Sequence, residues 1–178
     1  PVLITRGVRK ALAAHGLHSF VLKRDNSLWG AGNNLVGNLG TGNTTSPNML
    51  VKIADSVVDM NGGLGRSHFL KLNGSLWSMG APYDGGLGIN TTDLQLSPIK
   101  IMDSVSVIQR SYGTSNLIGK RDGTFWVFGQ NVGGQLGTGD SATVWTPKQV
   151  ALTGTVSVAV TGINHSLVLT KDGTLWGM

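Results

Sequence analysis

The residues with the most chemical potential are two histidines, a glycine-rich run and a set of cations. His18 and His165 each precede a serine and each lie 11 residues before a tryptophan, Trp29 and Trp176. A His-Ser pair suggests a base and a nucleophile, and a histidine pair suggests a metal site. Both need a third group at fixed spacing. No His-Asp-Ser or His-x-x-x-His grouping recurs, so these histidines read as ties between repeated units, because a residue repeated from unit to unit is architectural. Gly133-Gly134-Gln135-Leu136-Gly137-Thr138-Gly139 has the glycines of a phosphate loop but neither the following Lys-Ser/Thr nor a helix. Lys23, Arg24, Lys71, Lys120, Arg121 and Lys171 each stand just before a turn signal. Such an arc of cations would attract an acidic protein or a nucleic-acid backbone, or would simply keep exposed hairpins solvated. Tyr83 and Trp145 fall outside the strand pattern described next and are candidate interface anchors, or else pack under the long loops. Clustered carboxylates and metal sets are missing from the pattern, so no catalytic residue, cofactor or metal ligand is assigned and an enzyme is not expected.

What must position these residues is a repeat. Trp29, Trp77, Trp126 and Trp176 are separated by 48, 49 and 50 residues. A turn dipeptide precedes each: Asp25-Asn26, Asn73-Gly74, Asp122-Gly123 and Asp172-Gly173. Such dipeptides favour positive φ and join antiparallel strands. Eight residues after the first three tryptophans begins a Gly-x-Leu-Gly corner, Gly37–Gly40, Gly85–Gly88 and Gly134–Gly137. A corner of that kind is passed most easily by residues without a Cβ. Pro47, Pro98 and Pro147 open a further strand in each unit, and Pro1 lies at the same landmark. Self-similarity at such a period decides the fold before anything else does. The predicted strands include Phe20–Leu22, Leu28–Trp29, Val105–Ile108, Phe125–Phe128 and Val156–Val160, with Pro1–Ile4 as the last strand of a block. Four short strands in about 49 residues make one blade. The blocks run from about 5 to 54, 55 to 103 and 104 to 152, with 153–178 plus 1–4 as the split one. The whole reads as one all-β propeller domain, 1–178, in which Trp29, Trp77, Trp126 and Trp176 belong to the core.

Composition agrees. Of 178 residues, 27 are glycine, 40% are hydrophobic and 13% are charged, a globular profile. All nine acidic residues are aspartate, which suits turns more than helices. The chain has no cysteine, so neither disulfides nor thiolate metal sites hold it. No apolar run is long enough for a membrane-spanning helix and no signal peptide is visible, although the chain begins at Pro1 without Met. The net charge of +5 is spread over the blocks, so nucleic acid is not the expected partner.

The series Gly-x-x-His-Ser-Leu, Asp-Gly-x-Leu-Trp, Gly-x-Asn and Gly-Gln-Leu-Gly-x-Gly resembles the repeat of the regulator of chromosome condensation (RCC1) family. Gly134–Gly137 carries the corner intact, and Gly162…His165-Ser166 with Asp172–Trp176 carries the hairpin intact. Kelch repeats have a similar period but lack this corner. Arg66 and Ser115 stand where the pattern has His, and Pro82 where it has Asn. The ultraviolet-sensing Gly-Trp-x-His-Thr motif of plant members has no counterpart, since the matching segments here lack Trp. The resemblance implies blades in a ring, commonly seven. This chain would then supply a partial ring, a small closed ring, or half of an oligomeric one. It also implies a non-enzymatic scaffold that binds a protein partner through loops on one face. The alternatives are a structural component of a bacterial surface or viral tail assembly, and an exchange-factor-like regulator of a small GTPase. An open arc would leave strand edges and apolar faces uncovered, so self-association or further blades of a longer chain are expected.

Overall fold

The computed structural model describes residues 2–14, 18–111 and 114–178. Three consecutive four-stranded antiparallel sheets come first. Blade A contains β1 (Val8–Ala14), β2 (His18–Lys23), β3 (Leu28–Gly32) and β4 (Val51–Ala54). Blade B contains β5 (Val57–Gly63), β6 (Arg66–Lys71), β7 (Leu76–Gly80) and β8 (Gln95–Met102). Blade C contains β9 (Val105–Ile108), β11 (Ser115–Lys120), β12 (Phe125–Gly129) and β13 (Val144–Val150). In the fourth sheet, blade D, β14 (Val156–Thr161), β15 (Ser166–Thr170) and β16 (Leu175–Gly177) are joined on the inner side by β10 (Arg110–Ser111), which pairs parallel with β14. The chain is thus a β-propeller of four blades about one axis.

Each blade leans on the next, because a single sheet this thin cannot shield both faces. Phe20, Leu22 and Leu28 of blade A pack with Val57, Met60, Phe69 and Met79 of blade B. Leu70 and Leu76 of blade B pack with Val105, Ile118 and Phe128 of blade C. Leu117, Phe125 and Leu136 of blade C pack with Val156, Ala159 and Val168 of blade D. Trp77 and Trp126 wedge into the first two seams as half-buried members, and Trp77 stacks on Phe69 with ring centroids 6.2 Å apart.

The corners behave as their glycines require. Gly37, Gly40, Gly85, Gly88, Gly134 and Gly137 all have φ between 65° and 78°, the left-handed region. Between them Leu39, Leu87 and Leu136 are turned fully inward.

The turn dipeptides join antiparallel strands as expected, in three-residue loops with one positive φ each, at Asn26, Gly74, Gly123 and Gly173. Two expectations are corrected. Pro98 and Pro147 lie inside β8 and β13, not at their start, and Pro47 precedes β4 by four residues. Those strands are outermost, where a missing N–H costs no ladder bond. Val2–Ile4 form no strand and are exposed, while the fourth sheet is completed by β10 instead; Pro1 lies outside the described residues.

Candidate functional site

Antiparallel order puts the β2–β3, β6–β7, β11–β12 and β15–β16 turns at one end of the propeller, the turn end, with the Gly-x-Leu-Gly corners at the other. The turn end repeats one constellation. Trp29, Trp77 and Trp126 each donate from Nε1 to the hydroxyl of Ser27, Ser75 or Thr124, at 2.8 Å. That hydroxyl donates in turn to Oδ1 of Asp25, Asn73 or Asp122, at 2.6–2.7 Å. The hydroxyls hold the carboxyls of Asp25 and Asp122 below the usual aspartate value of 3.8. Above the indoles lie Lys23, Lys71 and Lys120, with Nζ 4.4, 4.8 and 5.1 Å from the ring centroids. Each ammonium faces the negative π surface, which holds it in one place while leaving it half-exposed.

Lys171 does not belong to this series. It occupies the place of Arg24 and Arg121, one residue later, and Thr170 stands where the other blades have lysine. The Thr170 hydroxyl donates to Asp172 at 2.5 Å, and Trp176 is more exposed than its counterparts. Arg121 reaches across to the preceding blade and donates to the Leu72 carbonyl at 3.2 Å. Lys52 and Lys100 pair with Asp55 and Asp103 at the same end, at 2.8 and 3.0 Å.

The corner end is acidic by contrast, with Asp84, Asp93 and Asp140 in its loops. Tyr83 is exposed in a 3-10 turn, Tyr83–Gly85, that packs on β13. Trp145, expected in a loop, is an exposed residue of β13. Both aromatics therefore lie at the opposite end from the lysines.

The histidines divide. His18 is buried and shares a 3.1 Å hydrogen bond with the Ser67 hydroxyl of the next blade, the expected tie. His165 sits exposed on blade D. A second buried tie is one that spacing did not single out. His68 is buried, with Nε2 3.0 Å from the Gly86 carbonyl. Asn116 of blade C donates to the same carbonyl at 3.2 Å. Burial, then the neighbouring Arg66 cation, push the His68 imidazole down to about 3, against the partial support of the Gly86 bond. His68 is therefore neutral at neutral pH and carries its proton on Nε2. Arg66 is buried as well, and desolvation draws it down to about 10 while Asp84 opposes the shift. Its visible signal in sequence was an Arg at the histidine position.

Two buried asparagines organise the corners. Asn131 accepts from the Leu136 N–H at 2.9 Å and donates to the Thr138 hydroxyl and the Asp140 carbonyl, each at 2.9 Å. Asn34 does the same for Leu39, Thr41 and Asn43. Pro82 stands at that position in blade B and has no such side chain, so the 3-10 turn replaces the asparagine there. Gln135 ties the third corner to blade D through the Ile163 carbonyl, at 3.2 Å. Gly133 N–H donates to Gln135 Oε1, so one of the donors a phosphate loop would offer is engaged.

Residues 122–169 match the regulator of chromosome condensation (RCC1) repeat. That stretch starts at the turn of blade C and ends in β15 of blade D, so the repeat unit is offset from the blade. Solved structures agree on the fold. The RCC1-like propeller resembles human WBSCR16, with a TM-score of 0.79, 24% identity, and coverage of 92% of this chain and 45% of that one. It also resembles Prp20p from Saccharomyces cerevisiae, with 0.80, 16%, 94% and 45%. A third likeness is to yeast RCC1 (Prp20) in the structure of Kap60 bound to it, with 0.76, 21%, 96% and 43%. The chain thus spans less than half the length of these relatives. No curated protein matches it by sequence.

Proposed function

We propose that this RCC1-like propeller is a non-enzymatic protein-interaction scaffold and that its turn end receives an acidic protein surface. The observation that carries this is the threefold Lys-over-Trp stack at 4.4–5.1 Å. Three cations are pre-placed at blade spacing, with exposed Arg24, Arg121 and Lys171 beside them. An ammonium already held on a ring loses less freedom on binding than a free lysine does. Protein partners also suit the relatives: the Prp20p structure is reported with its binding to Gsp1p and histones, and yeast RCC1 was solved bound to Kap60.

The test uses an immobilised chain and a 20-residue poly-glutamate probe. Binding should weaken steeply as salt is raised. The triple variant Lys23→Gln, Lys71→Gln, Lys120→Gln should bind about tenfold or more weakly, which is about 1.4 kcal/mol. Equal binding by the triple variant, or a loss produced only by Tyr83→Ala and Trp145→Ala at the other end, would overturn the assignment.

A further inference from the structure

One of the three Lys-over-Trp turns lacks the carboxylate that the other two carry. In blades A and C the turn opens on Asp25 and Asp122, and each accepts from the backbone N–H and the hydroxyl two residues on, at 3.0 and 2.6 Å. In blade B, Asn73 makes the same pair of bonds to Ser75, at 3.0 and 2.7 Å, with a neutral amide. The hydroxyl bonds come first in lowering the Asp25 and Asp122 carboxyls, and Lys23 and Lys120 lower them further. Those two ammoniums therefore direct part of their field at their own hairpins. Lys71 has the same stacked posture, with Nζ 4.8 Å from the Trp77 centroid, and no carboxylate within its hairpin. Asp103, just beyond β8, is taken up by Lys100 at 3.0 Å.

A second cation converges on the same hairpin. Arg121 leaves blade C and donates from its guanidinium to the Leu72 carbonyl at 3.2 Å. A Cβ added at Gly74 would crowd the guanidinium carbon at 3.1 Å, so the arm lies directly against the turn. That reach moves one positive charge from the hairpin of blade C to the hairpin of blade B. Among the described residues, the hairpins of blades A and C receive no such arm. Leu72 stands at the place of Arg121 in blade B. Lys171 stands there in blade D, and a Cβ at Gly123 would have only the Thr155 hydroxyl within 4 Å. Both Arg121 and Asn73 are exposed, and Leu72 beside them is 54% exposed.

We infer that the blade B hairpin is the carboxylate-binding centre of the turn end: Lys71 and Arg121 together receive an aspartate or glutamate side chain of the acidic partner, and Leu72 meets an apolar residue beside it. This rests on the acidic-partner reading of the turn end given above. A guanidinium presents parallel donors to a carboxylate, and an ammonium adds a point charge. The Leu72 bond uses one N–H of the several that Arg121 carries. The neutral amide of Asn73 holds the turn in shape without competing for either cation.

The variant Asn73→Asp rewrites this turn as the aspartate turn of blades A and C. It keeps an acceptor for both Ser75 bonds, so its Tm should match that of wild type. The probe is hexaglutamate, short enough to select the strongest site, titrated against the wild-type chain by NMR. The largest amide shifts should fall at Leu72, Asn73 and Gly74. Asn73→Asp, Lys71→Gln and Arg121→Gln should each weaken binding about fivefold, the scale of one solvated charge contact. Lys23→Gln and Lys120→Gln remove the same unit of charge at the same end and should weaken it by less than about twofold. Equal losses from all five variants, or largest shifts in the blade A or blade C turn, would overturn this site and leave the acidic-partner reading standing. Failure of both hexaglutamate and poly-glutamate to bind, or binding unchanged in the triple lysine variant, would remove that reading and this site with it.

Discussion

Protonation of His68 should set the acid sensitivity of the B–C seam. The native imidazole accepts its second proton only near pH 3, while the unfolded one does so near 6.5. Between those values the unfolded chain binds more protons, so stability is full above 6.5 and falls as pH is lowered. The slope approaches about 1.4 kcal/mol per pH unit. Integrated from pH 7 to pH 5, the loss is about 2 kcal/mol from this one residue. The physical origin is twofold: burial removes the water that would solvate an imidazolium, and Arg66 is a fixed cation beside it. Phe128 closes the site edge-on, with ring centroids 5.8 Å apart. The assay is urea unfolding followed by tryptophan fluorescence at pH 7, 6 and 5. His68→Gln keeps an amide donor near the place of Nε2 and cannot titrate. Its stability should lie within about 1 kcal/mol of wild type at pH 7, the size of one hydrogen bond. Its extra loss at pH 5 should disappear. Identical pH dependence in wild type and variant would show that His68 is already protonated in the native seam, and the reasoning would fail.

Other expectations follow from the corners and turns. Asn131→Ala strips the buried Leu136 N–H of its acceptor and should cost about 1–3 kcal/mol, read as a drop in Tm of roughly 2–12 °C. Gly129→Ala should abolish folding or nearly so, because its φ is 107° and a Cβ there overlaps the Thr114 carbonyl oxygen. Gly139→Ala, with φ of 82° but open space around it, should cost only the left-handed strain of about 1–2 kcal/mol, and a denaturation series on the pair separates the two effects. Thr124→Val removes the hydroxyl that first lowers the Asp122 carboxyl, so that carboxyl should titrate higher by NMR, and Trp126 emission should shift as Nε1 loses its acceptor.

The local grammar of this protein was legible in its residues. Trp29, Trp77 and Trp126 announce the strand, Asp-Gly or its equivalents the turn, and Gly-x-Leu-Gly the corner, because each depends on backbone torsions and neighbours within about ten residues. Asn34 and Asn131 act just as locally and could have been read from their fixed place five residues after the tryptophan. What residues alone could not decide was anything that depends on which blade faces which. That Lys23 rests on Trp29 emerges only from the folded hairpin, although the offset of Lys171, five residues before its tryptophan where Lys23 is six, could have been counted in the sequence. That Tyr83 and Trp145 lie away from the lysines follows from the alternation of strand direction, and His68 from a carbonyl of its own corner, Gly86, shared with the next blade. A sequence states what each strand could pair with, and only the stacked sheets show which neighbour it meets.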